Sequence, residues 1–145
     1  MSTRAILGVV QNDGSFLGAW QWNDGGDILE LLNRKFVDNA SVKELLSLGM
    51  WSSMWGPRQF KAFYNQTIKD VGYESKLAES VKSAIKLSND VYFIKGSYCT
   101  NSPKVYKNVK DTLEEDINYI YVYFPCLHKW KKYSNFNALK KDGLV

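Results

Sequence analysis

A chain of 145 residues with 45% apolar and 14% aromatic side chains has enough apolar surface to fill one core and too much to stay disordered. No stretch approaches the roughly 20 consecutive apolar residues of a bilayer-crossing helix, and two cysteines are too few for a disulfide framework. The formal charge of +4 is local, because after residue 128 Lys129, Lys131, Lys132, Lys140 and Lys141 stand against Asp142 alone while the rest is neutral, which excludes a chain that is basic throughout.

The first residues lack the apolar run and small-residue cleavage site of a secretory signal. A cytosolic location with reduced thiols at Cys99 and Cys126 is therefore expected, and no internal repeat, linker or low-complexity run divides residues 1–145 into more than one domain.

Residues 5–10 and 16–22 are two apolar runs separated by Asn12-Asp13-Gly14, which predicts a β-hairpin whose Asp-Gly turn supplies positive φ angles. Strand alternation puts Phe16, Gly18, Trp20 and Trp22 on one face and Leu17, Ala19 and Gln21 on the other. The Asn23-Asp24-Gly25-Gly26 break is followed by Asp27 and Glu30 at capping-box spacing, predicting a helix to about Phe36. Ser41 and Glu44 predict a second capping box, with Gly49 as a left-handed stop. Residues 50–57, with Trp51 and Trp55, are expected to be an irregular apolar connection, and Lys61 to Asn65 a strand on β propensity. Leu77, Val81 and Ile85 mark a helix over 74–87, and residues 91–94 a short strand. Ser102-Pro103 opens a helix carrying Val105, Val109 and Leu113. Residues 117–124 form the clearest strand, stopped by Pro125, and 130–133 a last strand before a short helix ending at Gly143. Helices grouped between strands predict an α+β fold: a mainly antiparallel, aromatic-rich sheet with helices packed on it as a pair of layers.

Catalytic signatures are sparse. There is no phosphate loop and no GxGxxG, so no cofactor is expected. One histidine, His128, and two separated cysteines show no metal-ligand spacing, so no metal is expected either. A Cys126–His128 pair lacks a group to orient the imidazole. Removal of Met1 would leave Ser2 or Thr3 at the head of the first strand, as in N-terminal-nucleophile hydrolases, an arrangement open to any chain beginning Met-Ser. Asp24 and Asp27 in the glycine loop are explained by turn and cap formation.

Aromatic side chains are the distinctive feature. Tyr119, Tyr121 and Tyr123 alternate with Ile120, Val122 and Phe124, and the aliphatic face is expected to be the inner one. The tyrosine face is expected to be sheet surface covered by a helix, with most of the tryptophans in the core; left open instead, it forms, with Trp20, Trp22, Asn23, Asp24, Trp51 and Trp55, the candidate binding surface. The alternative is a nucleic-acid or nucleotide surface combining those tyrosines with Lys129, Lys131, Lys132, Lys140 and Lys141.

The opening residues 1–7, the Asp13-Gly14 turn, the strand ending Trp20-Gln21-Trp22-Asn23-Asp24-Gly25 and the later 45–53 segment resemble small proteins of tailed phages and prophages. Those carry an Arg-containing first strand, an Asp-Gly turn and a His-Trp-Asp-Gly motif. Here Gln21 stands where the histidine would be, and an extra residue, Asn23 or Asp24, disturbs the motif. A catalytic role for that histidine is lost in this chain, whereas a structural or binding role survives. The resemblance implies phage origin and action in the bacterial cytoplasm. Taken together, the expectation is an accessory protein that binds a host or phage protein, or a second copy of itself. Nucleic-acid binding is the alternative, and a hydrolase site near residues 22–27 ranks below both.

Overall fold

The computed structural model describes residues 3–71, 81–95, 99 and 102–145; Ser2 and residues 74–80, half of the helix expected at 74–87, lie outside them. Strands β1 (Ala5–Val10) and β2 (Phe16–Gln21) pair antiparallel from Ala5↔Gln21 to Val10↔Phe16. In their turn only Gly14 takes a positive φ, +88°, and its N–H donates to the Gln11 carbonyl at 3.0 Å. This is the three-residue loop closed by a left-handed glycine, not a two-residue Asp-Gly turn. Asp13 instead accepts from the backbone N–H and hydroxyl of Ser15.

Helix α1 (Leu29–Lys35) starts behind Ile28, which makes no side-chain cap. The Asp27/Glu30 capping box does not form. Ile28 is buried, so packing rather than a side-chain cap fixes where the helix begins. Helix α2 (Asn39–Ser47) is capped by Asp38, whose carboxylate accepts from the Ser41 N–H at 2.7 Å. Ser41 is thus inside the helix rather than its cap, because Asp38 stands at the same favoured spacing one turn earlier. Gly49 ends this segment at φ +75°.

The connection expected to be irregular contains strands β3 (Met50–Trp51) and β4 (Ser53–Trp55). Lys61 to Asn65 is not a strand but part of helix α3 (Pro57–Val71). Proline suits the first helical position. Phe60, Phe63 and Tyr64 then fall at i, i+3 and i+4, where Phe60 stacks on Tyr92 at 4.1 Å and Phe63 lies 4.3 Å from Trp55. Strands β5 (Ile85–Lys86) and β6 (Tyr92–Ile94) join β4 in a small antiparallel sheet ordered β4-β6-β5. Ile85 therefore belongs to a strand, although the apolar period placed it in a helix.

Beyond Pro103 the chain forms strand β7 (Lys104–Tyr106), then a 3-10 segment (Val109–Glu114) capped by Asn108 through the Asp111 N–H. A helix from Ser102 was expected. Pairing with β2 claims these residues first, in the register Phe16↔Tyr106 to Gly18↔Lys104. Strands β8 (Tyr119–Phe124) and β9 (Lys129–Tyr133) are joined by a 3-10 turn at Pro125–Leu127 and followed by helix α4 (Phe136–Lys141).

The main sheet runs β3-β2-β1-β8-β9, with β7 also on β2. Hairpin and late strand meet directly, since β1 and β8 pair in parallel from Ala5↔Tyr119 to Val9↔Tyr123. β2 and β3 are also parallel and the other pairs antiparallel, so the fold is α+β around a mixed, mainly antiparallel sheet. Side chains are buried on both faces of the sheet, as the alternation in β2 implied. One face carries Leu7, Ala19, Trp51, Tyr121, Tyr123 and Trp130 against Leu32, Phe36, Leu45 and Phe93. The other carries Ile6, Phe16, Tyr106, Ile120, Val122 and Tyr133 against Val109 and Leu139. On this second face a Cβ at Gly8 would stand 2.7 Å from the Phe16 ring and 2.2 Å from the Leu17 carbonyl oxygen; the missing side chain makes room for that ring.

Hydrogen bonds from Ser41 hold the Asp38 carboxyl below its usual range. A depressed carboxyl stabilises the fold above its unfolded-state pKa, and that stabilisation is lost as pH falls through the folded-state value. Asp38→Ala is therefore expected to lower the thermal midpoint at pH 7. The gap to the parent protein should close on acidification below the ordinary carboxylate range, as followed by circular dichroism.

Candidate functional site

The Trp22–Gly26 loop is fixed by a chain of polar contacts, those of Trp51 with Gln21 and of Tyr121 with Gly25 being buried. Gln21 has no exposed surface. Its Oε1 accepts from the Trp51 indole N–H at 2.9 Å, and its Nε2 donates to the Asn23 carbonyl at 2.7 Å. Asn23 then donates from Nδ2 to the Ser52 hydroxyl at 2.6 Å and from its backbone N–H to the Ser52 carbonyl at 2.8 Å. Burial of an amide is tolerated only when its donors and acceptor are occupied, and here Trp51 of β3 supplies the donor for Oε1 while the Asn23 carbonyl accepts from Nε2.

Further along, Asp24 is exposed and takes a left-handed backbone, φ +57°. The Gly25 N–H donates to the Thr3 carbonyl at 2.9 Å, while the Gly25 carbonyl accepts from the Tyr121 hydroxyl at 2.6 Å. Lys132 Nζ donates to the Gly26 carbonyl. A Cβ on Gly25 would stand 2.9 Å from that of Ala5, so the loop lies directly on the end of β1.

Thus anchored, the loop forms one wall of an open groove of about 970 Å³. Buried Ile28, Leu31 and Met54 line it as an apolar floor, with half-buried Trp55 beside them. Asp24, Asp27 and Glu30 contribute acid from the loop and first turn of α1. Arg34 and Lys35 contribute positive charge from its last turn, and Arg58 from the start of α3. Glu30 and Arg34 are 3.7 Å apart on the exposed side of α1. Gly56 closes the end: its N–H donates to Gln59 Oε1 at 3.3 Å, and a Cβ there would lie 3.9 Å from Arg34 Nη2.

Of the residues singled out in the sequence, Asp24 and Trp55 meet in this groove. Trp51 does not offer a surface, being fully buried as the indole donor to Gln21, and Asn23 is spent in the same network. Trp20 and Trp22 lie on the opposite face of the sheet, half-buried, with rings 5.5 Å apart. There the Trp20 indole N–H donates to the Tyr106 hydroxyl at 3.0 Å, and the Arg4 guanidinium sits 4.6 Å from the Trp22 ring.

The tyrosine face is covered by α1 and α2, the first of the two arrangements expected for it, and is not a contact surface. Tyr121 and Tyr123 are buried in the larger core, and the reason is chemical: their hydroxyls donate to the carbonyls of Gly25 and Val37, each at 2.6 Å. A buried phenol with a partner costs little and contributes a large apolar ring. Burial pushes the Tyr121 phenol well above its ordinary pKa. Only Tyr119 is half-exposed, with Lys132 Nζ 4.1 Å from its ring centre.

The five lysines do not make one patch. Lys129 and Lys131 share one face of β9 and Lys132 takes the other, while Lys140 and Lys141 end α4. Lys131 lies 3.8 Å from Asp142. Among the described residues no group of three or more His, Cys, Asp or Glu side chains is placed to hold a metal. Nor is any helix there long and apolar enough to cross a membrane. Cys126 is exposed, and the neighbouring His128 directs Nδ1 at the Val37 carbonyl 3.1 Å away rather than at that thiol.

Met54, Gly56, Arg34 and Arg58 were missed by sequence reasoning. The available signal was Gly56-Pro57, a helix start that puts Arg58 in the first turn of α3. Comparison with protein-family models, curated proteins and solved structures gives no match to this chain.

Gln21→Leu keeps the volume but leaves the Trp51 indole without its acceptor. It is expected to cost about 1–3 kcal/mol in urea unfolding, whereas Asp24→Gly, which suits the left-handed backbone, should leave the midpoint unchanged.

Proposed function

We propose that this protein acts by binding a protein partner in the groove between the 24–27 loop and the start of α3, rather than by catalysis. The observation that carries this reading is the arrangement of the groove. An apolar floor of Ile28, Leu31 and Met54 lies beside the Trp55 ring and inside a rim of charged side chains. An apolar centre with a polar border is the anatomy of protein interfaces, and half-buried tryptophan beside arginine is the composition of their energetic centres. The fitting partner inserts one apolar or aromatic side chain and matches rim charges of both signs. On the resemblance to tailed-phage proteins, that partner is a host or phage protein in the bacterial cytoplasm.

Gly56 supplies the test. A side chain added there meets Leu31, Arg34 and Gln59 at 3.7–4.0 Å, ordinary contact distances, so Gly56→Leu fills the groove without forcing the backbone. Peptides selected from a display library on the parent protein should carry an apolar anchor flanked by charges. They should bind Gly56→Leu about tenfold more weakly or worse, at an unchanged thermal midpoint. Selection that yields only peptides indifferent to Gly56→Leu would contradict the assignment.

A further inference from the structure

Strand β9 is the last strand of the main sheet, and an edge strand presents a row of backbone donors and acceptors to whatever lies beside it. In β9 that row is partly occupied by a side chain. Asn33 of α1 accepts from the Trp130 N–H through Oδ1 at 2.7 Å and donates from Nδ2 to the Trp130 carbonyl at 3.2 Å. One amide thus makes both hydrogen bonds that a neighbouring strand would make at that residue. Backbone groups along an antiparallel strand alternate between facing the partner and facing away. Trp130 faces away from β8, so Lys132 and Ser134, two and four residues on, present their backbone on the same side. Beside this edge Leu29, Glu30, Asn33 and Arg34 of α1 and Lys132 border a shallow hollow of about 720 Å³.

We propose that the β9 edge is a second docking surface, which takes an acidic, extended segment of a protein partner as an added strand, with Asn33 holding the place of that strand until it arrives. Charge selects the occupant. Lys129, Lys131 and Lys132 lie within the strand, with Asp142 3.8 Å from Lys131. A second copy of β9 would set lysine opposite lysine, which is destabilising. Lys129 and Lys131 stand on one face of β9, and Lys132, which donates to the Gly26 carbonyl, on the other, whereas a nucleic-acid backbone requires its cations along one track. Asp27 and Glu30 also line the hollow, and Glu30 is paired with Arg34. The acids of the segment therefore fall opposite Lys129 and Lys131. Strand addition draws its affinity from main-chain hydrogen bonds and its selectivity from side chains, and both components are present at this edge.

The probe is a synthetic octapeptide of alternating Glu and Val, titrated into the full chain while backbone amides are followed by NMR. Shifts are expected at Lys132 and Ser134. Asn33→Ala, which vacates the Trp130 backbone, should bind about fivefold more tightly, and Lys129→Glu about fivefold more weakly. Lys129 is exposed, so its variant serves even if Asn33→Ala unfolds. Gly56→Leu should bind the peptide like the parent protein, which separates this surface from the groove. The proposal is overturned if β9 amides do not shift, if a version N-methylated at alternate residues binds equally well, or if single-stranded DNA of equal charge displaces the peptide at lower concentration.

Discussion

A buried glutamine amide joins the two regions on which the candidate groove is built. Gln21 ends β2, Trp51 ends β3, and their hydrogen bond lies where neither group meets water. Since an orphaned buried donor or acceptor costs more than a formed bond contributes, the pair fixes how the 50–55 segment leaves the main sheet. That exit directs β4 into the small sheet and Gly56-Pro57 into α3. The groove is thus a consequence of where a two-residue parallel strand is held.

The same economy recurs in the tyrosines of β8. Tyr121 and Tyr123 fill the core with rings and use their hydroxyls to hold the carbonyls of Gly25 and Val37, one in the glycine loop and one between α1 and α2. The sheet therefore positions both ends of α1 from below, through groups that a purely aliphatic strand would lack. With Asn33 tying the middle of α1 to β9, the helix is held at three points, and its remaining side chains, Glu30, Leu31 and Arg34 among them, shape the groove.

Local signals were legible in the sequence and long-range ones were not. The hairpin strands, the Gly49 stop, the late strand, expected over 117–124 and found at Tyr119–Phe124, and the final helix follow from alternation, left-handed glycine and proline punctuation, all decided within a few residues. The helix over 57–71 was misread because Phe60, Phe63 and Tyr64 suit a strand by propensity, and what makes them helical is the Trp55 and Tyr92 surface they pack on. Residues 104–106 were misread because their partner, β2, lies far away in sequence. Asp24 and Trp55 were recognisable as loop and connection residues; that they share one groove depends on the Gln21–Trp51 contact, which no periodicity reports. The alternation of tyrosine and aliphatic residues leaves the tyrosine face either covered by a helix or open to contact; it is covered, because the Gly25 and Val37 carbonyls stand within reach of its hydroxyls.

Hydrogen exchange of the indole N–H groups tests the role of the Gln21–Trp51 contact most directly. The Trp51 indole should exchange only through global unfolding, with the same denaturant dependence as the Trp130 indole, which is held by the Phe36 carbonyl in the core. Exchange of Trp51 through a local opening insensitive to denaturant, while Trp130 stays protected, would show that the two halves of the groove are not locked together as described.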